Sequence, residues 1–175
     1  MMQTPNNPRR RIYLGLHKVI SGGQSGVDRA ALDAALTASL ATGGWCPRGR
    51  WAEDGKIDVR YPLRPASLIR PCCRTILNVR DSDSTLVLVQ SRPKGGTALT
   101  TRALGRARPR NVVDPTMASS LRRTRWWLIK QQIGCLNIGG PRASEDPNIY
   151  NLALHFLDEL FQTAPFLSRK RNRKI

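Results

Sequence analysis

Val19-Ile20-Ser21-Gly22-Gly23-Gln24-Ser25-Gly26 is the stretch that decides the fold, because a short apolar strand in it ends in a glycine-rich turn. Residues 27–36, which follow the turn, are mostly Ala, Val and Leu and predict a helix. Such a turn presents backbone N–H groups at the positive end of the helix dipole, where an anion can bind. Glycine suits the turn because a larger side chain would block a close approach.

A second glycine turn, Lys94-Gly95-Gly96-Thr97, comes after a predicted strand at 85–89. The carboxyl ends of parallel strands meet at one edge of a sheet, so the two turns predict a single phosphate-binding crevice there. The alternative is structural, since the same glycines would also allow a helix to pack closely on a strand.

Strands alternate with helices along the chain. The predicted strands are 18–21, 42–45, 85–89, 111–114 and 135–138. The predicted helices are 26–40, 74–79, 98–107 and 148–162. A further helix, before the last of these, is predicted to be capped by Ser119 or Ser120. Residues 46–66 have no clear period and are predicted to form a long functional loop. Alternation of this kind predicts an α/β fold with a mostly parallel sheet and helices on both faces.

The charge balance is unusual, with 29 Lys and Arg against 12 Asp and Glu, a net charge of +17. We expect a flexible basic extension over 1–17, one domain over 18–163 and a disordered basic tail over 164–175. A positive field favours anionic partners, although a solvated basic surface would give the same composition. No nucleic-acid motif accompanies the charge, so any binding of nucleic acid is expected to be non-specific.

Cysteine usage and hydropathy favour a cytoplasmic location. The four cysteines Cys46, Cys72, Cys73 and Cys135 form no Cys-x-x-Cys pair and are expected to be reduced thiols. The polar, Arg-rich start has no apolar signal segment, and no run approaches the about 20 apolar residues of a membrane span. We therefore predict a protein that is not inserted in a membrane.

Several motifs together resemble the molybdenum cofactor carrier family over 18–161. They are residues 20–33, 42–50, 52–55, 61–63, 74–75, 78–83, 95–97 and 136–144. The resemblance implies a Rossmann-like three-layer α/β/α fold, related to the lonely-guy and lysine decarboxylase-like proteins. It implies binding, protection and transfer of molybdenum cofactor, a phosphorylated molybdopterin. Ser25 stands where the family usually has Thr, and Arg64 where members often carry an acidic residue.

The chemistry of that ligand suggests roles for individual residues. Backbone amides of the turn and the Ser25 hydroxyl suit the phosphate, and a carboxylate, Asp81 or Asp83, suits the pterin's amino-pyrimidine edge. Either aspartate would equally serve as a turn cap, and Arg74 would equally pair with Asp81. The expected cofactor-binding residues are Ser21, Gly22, Gly23, Gln24, Ser25, Gly26, Trp45, Arg74, Asn78, Asp81, Asp83, Gly95, Gly96 and Thr97.

The alternative function is a nucleotide hydrolase of the phosphoribohydrolase type. Those enzymes carry a glutamate shortly after their second glycine turn, whereas residues 93–100 here contain none. We therefore expect a carrier without catalytic residues and without a metal beyond that of its ligand.

Cys46 is a candidate molybdenum ligand or an ordinary buried thiol. The expected partners are molybdoenzymes or cofactor-biosynthesis proteins, and Trp126 or Trp127 would suit the interface of a homo-oligomer.

Overall fold

The computed structural model describes residues 15–67, 71–90 and 110–161. The glycine turn at 95–97, the predicted helix at 98–107 and both basic ends lie outside the described residues. The helices are α1 (Val27–Thr37), α2 (Pro71–Arg80), α3 (Ala118–Lys130) and α4 (Ile149–Phe161). The strands are β1 (Lys18–Ile20), β2 (Ala41–Gly43), β3 (Trp45–Cys46), β4 (Trp51–Ala52), β5 (Gly55–Lys56), β6 (Arg64–Pro65), β7 (Ser84–Leu88), β8 (Arg110–Val113) and β9 (Cys135–Gly139).

Five strands form the central sheet in the order β2-β1-β9-β7-β8, and every neighbouring pair is parallel. The last strand therefore lies in the middle, between the first strand and β7. This order brings the turn after β1 and the turn after β9 to one edge of the sheet. The Val27 amide at the start of α1 donates to the carbonyl of Pro141 at 3.2 Å, which ties the two turns together.

The main core lies between the sheet and the helices α1, α3 and α4. Ala30, Ala31, Ala34 and Ala35 of α1 are fully buried, and these small side chains let α1 and α4 pack closely. Leu128 of α3 belongs to the same core. The structure confirms the Rossmann-like three-layer α/β/α fold with a parallel central sheet.

The segment predicted as a long loop is built around a small core of its own. Leu32 of α1 packs with Cys46, Ile57, Tyr61 and Leu63, all of them buried. Two short strand pairs, β3–β6 and β4–β5, frame this core. The strands have only two residues each, so no hydrophobic period in the sequence indicates them.

Arg50 supplies the hydrogen bonds that such short strands cannot. Its guanidinium donates to the carbonyls of Asp58 and Leu63 at 2.8 Å, Tyr61 at 3.0 Å and Ile57 at 3.4 Å. One side chain thus replaces part of a backbone ladder, which satisfies carbonyl groups that would otherwise lack partners.

Helix ends differ from the sequence prediction at one position in particular. The helix α3 begins at Ala118, so Ser119 and Ser120 lie inside it, and the capping residue Met117 makes no side-chain cap hydrogen bond. The prediction of a serine cap is therefore wrong. Within the described ranges, no helix combines the length and the apolar character required to cross a bilayer.

Candidate ligand-binding crevice

A solvent-open crevice lies where β1 and β9 end. The strand order accounts for its position, because β9 joins the sheet beside β1 and their following turns form the crevice walls. The wall residues are Gly22, Gln24, Asp28, Arg74, Thr75, Asn78, Asn137, Ile138, Gly139, Gly140, Arg142 and Glu145.

Gly22 and Gly26 shape the turn in different ways. A Cβ at Gly22 would lie 2.0 Å from Nη1 of Arg74, so the missing side chain makes room for the guanidinium. Gly26 has a φ of +71°, and a Cβ there would lie 2.4 Å from the Pro141 carbonyl oxygen. The turn is therefore shaped both for a cation held against it and for the close approach of the chain after β9.

Asp28 and Arg74 form an ion pair in the crevice wall. Their Oδ2 and Nη1 atoms are 3.5 Å apart, and the two side chains are 13% and 12% exposed. The same Oδ2 accepts a hydrogen bond from the Gln24 backbone amide at 3.3 Å. Burial raises the pKa of Asp28 and outweighs the Arg74 charge and the hydrogen bonds, which lower it. A carboxyl group therefore occupies part of the position that the turn offers to an anion.

Ser25 points away from this crevice and belongs to a network that joins three segments. Its hydroxyl donates to Oε1 of Glu53, which lies between β4 and β5, and accepts from the Ala143 amide at 3.1 Å. The Glu53 carboxylate also accepts from the Ser144 amide at 3.0 Å and from the Ser144 hydroxyl at 2.5 Å. Burial raises the pKa of Glu53, but the bonds from Ser144 and Ser25 prevail and hold it below its ordinary value.

Ser21 and Asn78 are both buried, and their side chains hold strands in position. The Ser21 hydroxyl donates to the Ile138 carbonyl at 2.7 Å, linking β1 to β9. Asn78 accepts from the Trp45 amide at 2.7 Å and donates to the Trp45 carbonyl at 3.0 Å, linking α2 to β3. Asn78 also lines the crevice, as its spacing from Arg74 predicts.

The two predicted pterin-reading aspartates occupy different places. Asp81 accepts from Nε1 of Trp45 at 2.7 Å and from Nε of Arg80 at 2.6 Å. The bond from Arg80 is the main cause that lowers the pKa of Asp81. Asp83 accepts from the amides of Gly134 at 3.0 Å and Cys135 at 2.7 Å, at the amino end of β9 and so at the opposite edge of the sheet. Neither aspartate lines the crevice.

A second groove lies on the side of α1 that carries Arg29 and Asp33. Asp33 accepts there from the hydroxyl groups of Tyr61 at 2.7 Å and Tyr150 at 2.9 Å. Burial and the bond to Asp33 raise the pKa of Tyr150 to about 12. Arg29 and Arg60 lie over the Tyr61 ring, at 5.4 and 4.7 Å from its centre.

Of the predicted residues, the structure brings Gly22, Gln24, Arg74 and Asn78 together in the crevice. Gly23 belongs to the same turn, while Ser25 and Gly26 line the second groove. Sequence reasoning missed Asp28, Asn137 and Arg142. Asp28 could have been found, because an acidic residue two positions after the last glycine lies in the first turn of α1.

The described residues hold no group of three or more His, Cys, Asp or Glu side chains able to bind a metal ion. Cys46 is fully buried in the small core, and its burial raises the pKa of the thiol. It therefore has the environment of an ordinary core cysteine.

In this sheet, the strand β9 lies at the centre although it comes last among the described strands. The chain was compared with models of known families. The model of the circularly permutated YpsA SLOG family matches residues 19–161. The chain belongs to this family. A search of curated proteins found no match.

A solved structure is also similar to this family member. It is the crystal structure of the "Putative molybdenum carrier protein" from Syntrophus aciditrophicus, with 38% sequence identity and a TM-score of 0.81. The match covers 85% of this chain and 96% of that one. The two findings confirm the resemblance to the molybdenum cofactor carrier family.

Proposed function

We propose that this protein binds molybdenum cofactor in the crevice between the turns after β1 and β9, protects it and transfers it to recipient proteins. The observation that carries the proposal is this crevice, at the edge of the sheet where Rossmann-like folds bind ligands, in a chain similar to a molybdenum carrier. The ligand is cargo rather than a resident group of an enzyme.

Arg142 is the basic residue of the crevice wall that supports an anionic, phosphorylated ligand, since Arg74 is paired with Asp28. Arg142 follows the turn after β9, and its side chain is partly exposed at the wall. A guanidinium binds phosphate through two parallel hydrogen bonds, and the nearby start of α1 adds the positive end of a helix dipole. We assign the terminal phosphate to Arg142 and the adjacent turn.

A nucleotide hydrolase is the weaker candidate. A phosphoribohydrolase needs a carboxylate to transfer protons at the glycosidic bond, and its usual glutamate has no counterpart in residues 93–100. Asp28 lies in the crevice, but it is paired with Arg74 and the Gln24 amide. Release of ribose 5-phosphate from AMP would favour the hydrolase over the carrier.

The test is purification of the full chain from a host that makes molybdenum cofactor. The protein is denatured, the supernatant is oxidised, and the fluorescent pterin derivative and molybdenum are quantified together. We expect near-stoichiometric pterin and metal. Neither component in a folded protein that also fails to bind added cofactor would contradict the proposal.

A variant locates the binding. Arg142→Ala removes a charge-assisted contact and should lower the retained cofactor about tenfold. The matched control is Arg122→Ala, because Arg122 is exposed on α3 and does not line the crevice. Equal retention by both variants would exclude Arg142 as a ligand-binding residue.

A further inference from the structure

The crevice wall contains a buried hydrogen-bond acceptor without a partner in the described chain. Gln24 is 6% exposed, and its Nε2 donates to the Trp51 carbonyl at 3.1 Å. Because that carbonyl can only accept, the amide orientation is fixed and Oε1 is the atom without a partner. Buried polar atoms are nearly always paired, so this acceptor calls for a donor from outside the described residues.

Arg74 and Asp28 add a donor and a further acceptor beside it. The buried Nε of Arg74 also has no hydrogen-bond partner among the described residues, while its Nη1 contacts Asp28. The Gln24 amide and Arg74 contact Oδ2 of Asp28 at 3.3 and 3.5 Å, and the Ser21 side chain is a further hydrogen-bond partner of this carboxylate. The other oxygen, Oδ1, faces Gly139, where even a Cβ would lie 3.6 Å away. The crevice wall therefore combines acceptors on Gln24 and Asp28 with a donor on Arg74.

A phosphate cannot satisfy this set, because its oxygen atoms supply acceptors and would meet the Asp28 carboxylate and the Gln24 carbonyl. A 2-amino-4-oxopyrimidine edge does fit, since it carries N–H and NH₂ donors next to a carbonyl acceptor. A carboxylate pairs well with two neighbouring N–H groups, and a guanidinium N–H pairs with a carbonyl.

We propose that Asp28 and the Oε1 atom of Gln24 bind the amino-pyrimidine donors of a pterin, while Nε of Arg74 binds its 4-oxo group. The proposal rests on the proposed function, because it names how the same crevice selects the organic part of the ligand. It assigns to Asp28 the part that the sequence suggested for Asp81 or Asp83. Asp28 is thereby the residue that determines specificity.

Pterin and lumazine test this assignment, because lumazine carries an oxo group, with a proton on N1, where pterin carries the 2-amino group. We expect the wild-type chain to bind pterin about tenfold more tightly than lumazine in an equilibrium titration, since lumazine places an acceptor against Asp28. Asp28→Asn replaces one acceptor oxygen by an NH₂ donor. This variant should lose the preference for pterin or prefer lumazine.

Two further variants control for folding and for charge. Asp54→Asn removes a carboxylate outside the crevice, where the side chain is 47% exposed, and should keep the preference for pterin. If Asp28→Asn fails to fold, Gln24→Met removes the unpartnered acceptor and should weaken pterin binding more than lumazine binding. Circular dichroism and thermal unfolding establish that each variant is folded.

The outcomes separate this inference from the proposed function. Equal binding of the two compounds by the wild type, no measurable binding of either, or an unchanged preference in Asp28→Asn would overturn the assignment. In each case molybdenum and pterin in the purified wild-type protein would leave the carrier function standing. The purified protein could instead contain neither molybdenum nor pterin and still prefer pterin to lumazine through Asp28. That result would remove the carrier function and keep a pterin-selective site.

Discussion

At the scale of single residues, Gly26 illustrates how one position couples the two turns that form the crevice. Its φ of +71° is unfavourable for other residues, and a Cβ would collide with the Pro141 carbonyl at 2.4 Å and the Arg142 carbonyl carbon at 2.9 Å. Both atoms belong to the backbone, which cannot move aside like the end of a flexible side chain. The geometry of the crevice depends on this contact.

Gly26→Ala should therefore reduce the free energy of unfolding by roughly 2 kcal/mol or more, from backbone strain and the collision together. Gly55→Ala is the matched control, because Gly55 has a φ of +112° but nothing within 4 Å of its Cβ position. Urea unfolding of the three proteins measures the difference. An equal loss of unfolding free energy in the two variants would mean that backbone strain alone destabilises them and that the contact with Pro141 contributes nothing.

Predictions about single residues succeeded where the backbone geometry admits few residue types. The need for glycine in the first turn follows from backbone geometry, and the structure has positive φ angles at Gly23 and Gly26. A carboxylate is harder to assign, because an aspartate caps turns, pairs with arginine or binds a ligand equally well. Asp83 precedes β7 and so lies at the amino end of the strand, opposite the crevice, whereas Asp28 follows β1 and lies beside it.

At the scale of elements, Glu53 ties the hairpin β4–β5 to two other segments of the molecule. This carboxylate receives hydrogen bonds from Ser25 before α1 and from Ser144 before α4, so three segments meet at one side chain. The sequence could not indicate this, because Ser25 and Ser144 are 119 positions apart and serine carries no periodic signal. Longer elements such as α4 were predicted closely, because their apolar period extends over several turns.

The lowered pKa of Glu53 gives a stability contribution with a defined dependence on pH. The contribution is fully present above the ordinary carboxyl pKa of 4.5 and is lost as the pH falls through the lower value of the folded state. Glu53→Gln should therefore be less stable than the wild type at neutral pH, and the difference should shrink below about pH 4.5.

Urea midpoints of the two proteins across that pH range test the prediction, and Asp54→Asn in the same hairpin is the control. Asp54 pairs with Arg29 at 3.3 Å and is 47% exposed, so its loss should matter little. A stability difference for Glu53→Gln that stays constant with pH would show that the carboxylate charge has no part in holding the three segments.

At the scale of the whole molecule, the net charge of +17 acts on every anion in solution and not only on a ligand in the crevice. Part of it lies on the outward face of α3, where Arg122, Arg123 and Lys130 are exposed and the helix contains no acidic residue. Trp126 is 62% exposed on this face, with Nζ of Lys130 at 4.7 Å from the centre of its ring. The partner tryptophan, Trp127, packs against the core.

A surface of this kind should bind nucleic acid weakly and without sequence preference. Fluorescence anisotropy with random-sequence DNA should detect binding at about 50 mM salt and lose it at several-fold higher salt, because binding releases counterions in proportion to the phosphates contacted. Replacing Arg122 and Arg123 together by Ala should reduce the slope of log affinity against log salt by up to about 2. Arg74→Ala should leave the slope unchanged, because Arg74 is 12% exposed and paired with Asp28 in the crevice. Binding that persists at high salt, or a slope that responds to Arg74 rather than to α3, would instead place a dedicated nucleic-acid site at the crevice and would count against a pterin ligand there.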